Sequence, residues 1–237
     1  MRLLFIMTAI ALVTLVGCAM QQVERRPGER PPIDYPPGEP PRTSLSTERP
    51  CCRSVGRMPS RSAIARTAAK LVGAKSIESN GRHIDYDCAG VTRAVFLKHG
   101  IDLYEGEPVD PTANGVRIIH THIQQQGKFH QGPVVHPGDL VFFDNTWDYN
   151  GDGKVNDPLT HVGIVERQEK DGTVIFISRV VGTVKRYRMN LGLSHVHKTA
   201  NGRILNDYLR RKDSSDPANT RYLSGELFAR FATRVGR

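Results

Sequence analysis

Hydrophobic positions along the chain fall into distinct regimes. An almost unbroken apolar run from Leu3 to Val16 follows a single basic residue, Arg2. It is too short to span a bilayer comfortably and reads as a secretory signal peptide over residues 1–17. Large apolar side chains then nearly vanish over residues 18–60, which carry most of the prolines, in pairs such as Pro31-Pro32, Pro36-Pro37 and Pro40-Pro41. A segment of this composition cannot offset its chain entropy by burial and is expected to be an extended linker, reaching up to about 100 Å at about 3 Å per residue.

Periodic patterning begins at Ser62. Ile64, Ala65, Ala68, Ala69, Leu71 and Val72 recur at three- and four-residue spacing until Gly73, which predicts a helix. After a polar loop from Ser76 to Tyr86, Asp87 is placed as the N-cap of a second helix whose apolar face is Val91, Ala94, Val95 and Leu97, with Gly100 as its stop. Val116 to Gln126 forms a third, short helix. Strands are expected at Asp139–Asp144, His161–Arg167, Thr173–Arg179 and Thr183–Met189, with a hairpin around Asp171-Gly172. Leu223, Leu227, Phe228 and Phe231 are spaced as in a closing helix over Tyr222–Val235. Helices first and antiparallel strands afterwards describe an α+β fold for residues 61–237, as one domain without internal repeats.

Composition adds a compartment. Leu15-Val16-Gly17-Cys18 resembles a bacterial lipobox, which implies acylation of Cys18 and a mature protein tethered by lipid to a bacterial membrane. Ala19, where an aspartate resembles an inner-membrane retention signal, points to the outer membrane. Cys51, Cys52 and Cys88 are then an odd number of thiols in a disulfide-permissive compartment, so one stays free. Cys51 and Cys52 can pair with each other, pair with another chain or stay reduced. A net charge of +9 suits either anionic envelope polymers or simple solubility. Nucleic acid is not an expected partner, because the basic residues are dispersed and not interleaved with aromatics. A monomer is expected.

Cys88, in the first turn of its helix, is positioned near unpaired backbone N–H groups that favour a thiolate and can stabilise an oxyanion. His161, at a strand start, is the matching base. Three segments, Tyr86-Asp87-Cys88-Ala89-Gly90, Pro137-Gly138-Asp139-Leu140-Val141-Phe142-Phe143 and His161-Val162-Gly163-Ile164-Val165, resemble in order and spacing the signature blocks of the NlpC and CHAP cysteine peptidases. The resemblance covers residues 62–190. It implies a papain-like fold, with the cysteine on a helix packed against an antiparallel sheet that carries the histidine. It also implies cleavage of cell-wall peptide amides with no cofactor for the chemistry. Ala89 replaces the usual serine. At the third position, which orients the imidazole and is His, Asn, Gln or Glu in the family, the best match is Ser178, a shorter and weaker orienter. Asp139 and Asp87 are expected to cap a turn and a helix.

Asp148-Tyr149-Asn150-Gly151-Asp152-Gly153-Lys154-Val155-Asn156 resembles the first nine positions of an EF-hand or dockerin calcium loop. The donors would be the side chains of Asp148, Asn150, Asp152 and Asn156 and the carbonyl of Lys154. Position twelve is Leu159, so Asp157 or Asp144 must supply the missing acid for a structural calcium ion. The alternative is a metal-free polar turn. His120/His122 and His195/His197 would each put two imidazoles on one face of a strand, a weak zinc pattern without a third ligand.

The leading expectation is an envelope cysteine hydrolase acting on peptidoglycan peptides, with Cys88, His161 and Ser178 as its machinery. Its alternatives are a degenerate wall-binding lipoprotein and an acyl or peptidyl transferase using the same pair.

Overall fold

The computed structural model describes residues 58–77, 83–106 and 113–236. The signal segment, Cys18, the linker, Cys51 and Cys52 lie outside the described residues. No helix among the described residues is long and apolar enough to cross a membrane.

Three helices come first: α1 (Arg61–Lys70), α2 (Cys88–Leu97) and α3 (Gly115–Gln126). Each begins at a side-chain cap. Ser60, Asp87 and Asn114 accept the backbone N–H of Ala63, Gly90 and Arg117, a contribution of about 1 kcal/mol per helix. Strands β1 (Lys128–His130), β2 (Leu140–Phe143), β3 (His161–Gln168), β4 (Val174–Ser178) and β5 (Lys185–Met189) follow, then a single helical turn α4 (Ser224–Leu227) and β6 (Phe228–Thr233). They form one antiparallel sheet in the order β1-β6-β2-β3-β4-β5. The fold is α+β.

The sheet is covered on both sides, and the two coverings differ. Leu140, Phe142, Val162, Ile164 and Ile177 pack with Ile64, Val95, Phe96, Ile119 and Ile123 of the helices. On the opposite face Val141, Phe143, Val165, Phe176 and Phe231 pack under Leu209, Leu227 and Val135. That second cover is mostly irregular chain, so its polar groups need internal partners. Asn206, fully buried, supplies many of them: its Nδ2 donates to Leu193 O and Val196 O at 2.9 Å each, and its Oδ1 accepts from Asn190 N–H at 2.8 Å. Arg210 and Asp216, both nearly buried, add an ion pair of 2.7 Å.

The expected C-terminal helix is corrected. Only Ser224–Leu227 is helical, and Phe228–Thr233 inserts as a strand between β1 and β2. The reason is burial on both faces: Phe231 enters one core and Ala232 the other, which removes the polar alternation that marks a half-exposed strand. Strand β1 was likewise without a sequence signal, being three residues long and partly exposed.

Candidate active site

Asp87 ends the loop before α2 and caps it, its Oδ1 accepting Gly90 N–H at 2.7 Å. The preceding chain doubles back so closely that a Cβ on Gly90 would lie 1.8 Å from Asp85 O, which is why glycine is required there. Cys88 is thereby fixed as the first residue of α2, half-buried. Ala89 faces the start of α3. A Cβ added to Gly115 would come within 2.7 Å of its methyl, so the contact is built from the smallest side chains.

Strand β3 approaches the same helix end. The backbone N–H groups of Val162, Ala89 and Cys88 all point at the Cys88 sulfur and favour its ionised form. They do not prevail: burial, with Asp87 beside it, pushes the thiol up to about 12. The helix-terminus advantage expected from the sequence is thus outweighed by desolvation and by the capping carboxylate. Burial also holds the His161 imidazole down to about 4. The resting pair is a neutral thiol and a neutral imidazole.

His161 opens β3 and Ser178 closes its antiparallel neighbour β4, so both reach the same end of the sheet. Ser178, 1 % exposed, places its Oγ 2.9 Å from His161 Nε2 and 2.7 Å from Val162 O. A hydroxyl has one proton. Donated to the carbonyl, it leaves Oγ as an acceptor, and the hydrogen on the imidazole must then sit on Nε2. Nδ1 is left with its lone pair, the state a general base requires. The short serine therefore reaches the ring directly, with no intervening water needed.

Cys88 and His161 line one open cavity of about 580 Å³. Its rim carries Trp147, Val181 and Tyr208, which are 50 %, 68 % and 57 % exposed, together with the cations Arg179, Lys185 and Arg211. Arg179 lies over the Tyr86 ring at 4.7 Å. These rim residues were not singled out from the sequence. The available signal was a lone tryptophan in a polar loop and a cluster of basic residues around β4 and β5.

The other sequence-derived residues are placed as follows. Asp139 is buried beneath the turn into β2, accepting His136 N–H at 2.8 Å and the Thr233 hydroxyl at 2.6 Å, away from the cavity. Asp148, Asn150, Asp152, Lys154, Asn156 and Asp157 lie on the loop between β2 and β3, next to the cavity's Trp147. The paired-histidine reading is corrected. His120 and His122 belong to α3, not a strand, and two residues along a helix turn side chains to different sides. His120 stacks on Phe129, whereas His122 donates its Nδ1–H to Glu105 O and accepts Arg234 Nε–H at Nε2. His197 is held by Asn206 O at 2.6 Å, outside any strand. Among the described residues no group of three or more His, Cys, Asp or Glu side chains stands together as a metal cage.

No protein-family model matches the chain, and no curated protein is similar to it at a significant level.

Proposed function

We propose that this protein is a cysteine hydrolase of the papain-like NlpC and CHAP type, cleaving amide bonds of peptidoglycan peptides from a lipid anchor at Cys18 in the bacterial envelope. One observation carries the reading. The half-buried Cys88 and the base His161, its tautomer set by Ser178, share an open cleft. The supporting sequence features are the three ordered segments that resemble the family's signature blocks and the signal-like apolar run ending in the lipobox-like Leu15-Val16-Gly17-Cys18.

In the proposed step the Cys88 sulfur attacks the scissile carbonyl as His161 Nδ1 takes the thiol proton. The carbonyl oxygen gains the negative charge, facing the N–H groups at the start of α2. Collapse expels the amine, which receives the proton back from His161, and leaves a thioester. Water then attacks that thioester with His161 again as base, releasing the acid and the thiol. Burial disfavours either charge standing alone in the site, so proton transfer from Cys88 to His161 accompanies attack. The cationic, aromatic rim suits a substrate bearing carboxylates beside the amide, as wall peptides do.

A second reading is favoured by the same neutral pair: a wall-binding protein that holds such peptides without cutting them. Purified sacculi incubated with the full chain and with Cys88→Ala separate the two. New amine and carboxyl ends released only by the unsubstituted protein are the expected result. Equal sacculus binding by both, with no release, would replace hydrolysis by binding. Transfer to an added amine in place of water would mark the transferase alternative.

A further inference from the structure

The chain between β2 and β3 is a loop with a braced neck. Asn145 N–H donates to Asp157 O at 2.7 Å, and Asp157 N–H donates to Asn145 Oδ1 at 2.7 Å. One step closer to the sheet, Thr146 donates to Thr160 Oγ1 through both its N–H and its hydroxyl, at 2.9 Å each. Thr160 precedes His161, and Thr146, Trp147 and Thr160 all line the cleft.

Inside the loop, side-chain oxygens accept successive backbone N–H groups. The two carboxylate oxygens of Asp148 accept Gly151 N–H and Gly153 N–H, each at 2.8 Å. Asn150 Oδ1 accepts from Asp152 N–H at 3.0 Å, and Asp152 Oδ1 from Lys154 N–H at 2.9 Å. Asn156 donates its Nδ2 to Asp152 Oδ2 at 2.9 Å, which leaves its own side-chain oxygen for another partner. All of this would describe a well-made polar turn and nothing more.

Asp157 does not fit that description. The residue is only 2 % exposed, and its Oδ1 lies against the loop, accepting Asn150 N–H at 3.3 Å. Its Oδ2 is buried without any hydrogen-bond partner, and no cationic side chain among the described residues pairs with it. An unpaired buried carboxylate oxygen is strongly unfavourable. It calls for a partner, either an ordered water or a cation. Asp148 and Asp152, on the turn whose backbone Asp157 touches, make a cation the better answer, and hard oxygen donors select calcium.

We propose that the 148–157 loop is a calcium site closed by Asp157, with Asp148, Asn150, Asp152, Asn156 and the Lys154 carbonyl as its other donors. Asp144, whose Oδ1 accepts Leu159 N–H at 2.7 Å, has no buried oxygen left without a partner and so lacks the feature that singles out Asp157. The three acids do not already form a cage, so the ion draws Asp157 and the loop together, and binding is weak, with a Kd of about 10⁻⁴–10⁻³ M. This inference stands apart from the hydrolase reading, since it uses neither Cys88 nor a substrate.

The chain contains a single tryptophan, Trp147, which adjoins the loop with its ring 5.2 Å from that of Tyr149. Terbium added to the chelator-treated full chain should therefore give emission sensitised by these rings. Calcium should displace it in the range above and raise Tm by about 3–5 °C at ten times the Kd, whereas magnesium should do neither at equal concentration. Asp157→Asn should weaken calcium displacement at least tenfold. Asp152→Asn, at an exposed position that does not threaten folding, should do the same. Absence of sensitised emission, equal displacement by magnesium, or unchanged calcium affinity in Asp152→Asn would each overturn the site, whether or not Asp157→Asn folds.

Discussion

His120 and His161 are both buried imidazoles, and both are held down to about 4. His120 sits within α3, stacked on Phe129 at 4.5 Å and edge-on to Phe142 at 5.6 Å, with its Nε2 unpartnered. His161 sits at a strand end, with one nitrogen held by Ser178, on the wall of a cleft that also holds a thiol. Desolvation is the main cause of depression in both, with Arg230 adding to it at His120. A shifted imidazole is therefore no mark of a base in this molecule. The marks are a nitrogen fixed by a hydrogen bond, and an opening onto space a substrate can enter.

The sharpest way to break this comparison is to exchange each ring. His161→Gln should lower kcat for amide cleavage by about 10²–10⁴-fold with little change in Tm. His120→Phe, which preserves the aromatic stack, should leave kcat unchanged. A matching loss of kcat in His120→Phe would show that the two histidines are not functionally distinct.

Next in size is an effect on the cysteine's platform. Gly90→Ala drives a methyl into Asp85 O, and should destabilise the fold by about 3 kcal/mol as read by urea unfolding. Unfolding at the unsubstituted midpoint would show that the turn before α2 relaxes freely.

Acid acts on the two histidines alike. An unfolded imidazole takes up a proton below its ordinary value of 6.5, whereas these two resist it until about 4. Across that window the unfolded chain binds more protons, so stability is fully present above 6.5 and declines as pH falls toward 4, by up to about 3 kcal/mol per histidine. His120→Phe should reduce the slope in urea midpoint between pH 7 and 4.5, leaving the part due to His161 and to His99, which burial also lowers. An unchanged slope would place the acid sensitivity elsewhere.

The smallest effect concerns the orienting hydroxyl. Ser178→Ala removes the acceptor on Nε2 and the donor to Val162 O, and should lower kcat about tenfold while KM is held, since no substrate contact is lost. A KM change without a kcat change would assign Ser178 to packing alone.

Legibility from sequence followed how local each determinant is. The cap-and-period signals of α1, α2 and α3 are contained within about a dozen residues, and those helices lie where the periodicity placed them. Strands β2, β3 and β4 announced themselves by apolar runs and a turn at Asp171-Gly172, and the mostly charged β5 lies within the expected Thr183–Met189. Strand β6 did not, because its identity depends on two partners, β1 and β2, that are distant along the chain. The long cover from Asn190 to Tyr222 was equally silent, since single buried contacts such as Asn206 and the Arg210–Asp216 pair, and no periodic pattern, hold it in place. Cys88, His161 and Ser178 could be named from short blocks, but their electrostatic balance could not. Whether a helix end or burial prevails over a thiol depends on how tightly Val162, Asp87 and α3 close around it.

The position of β6 has a consequence for how the molecule is made. Strand β6 follows every other strand in the described chain yet occupies the interior of the sheet, so a nascent chain still lacking it has β1 and β2 with their shared partner missing and Phe231 absent from its core. Native closure is then a late, long-range event, and assembly is slower than the early helices would suggest. Any chain lacking β6 carries two unsatisfied strand edges, which are templates for association with other chains. Arrival of β6, more than formation of the helix bearing Cys88, decides when this domain acquires its fold.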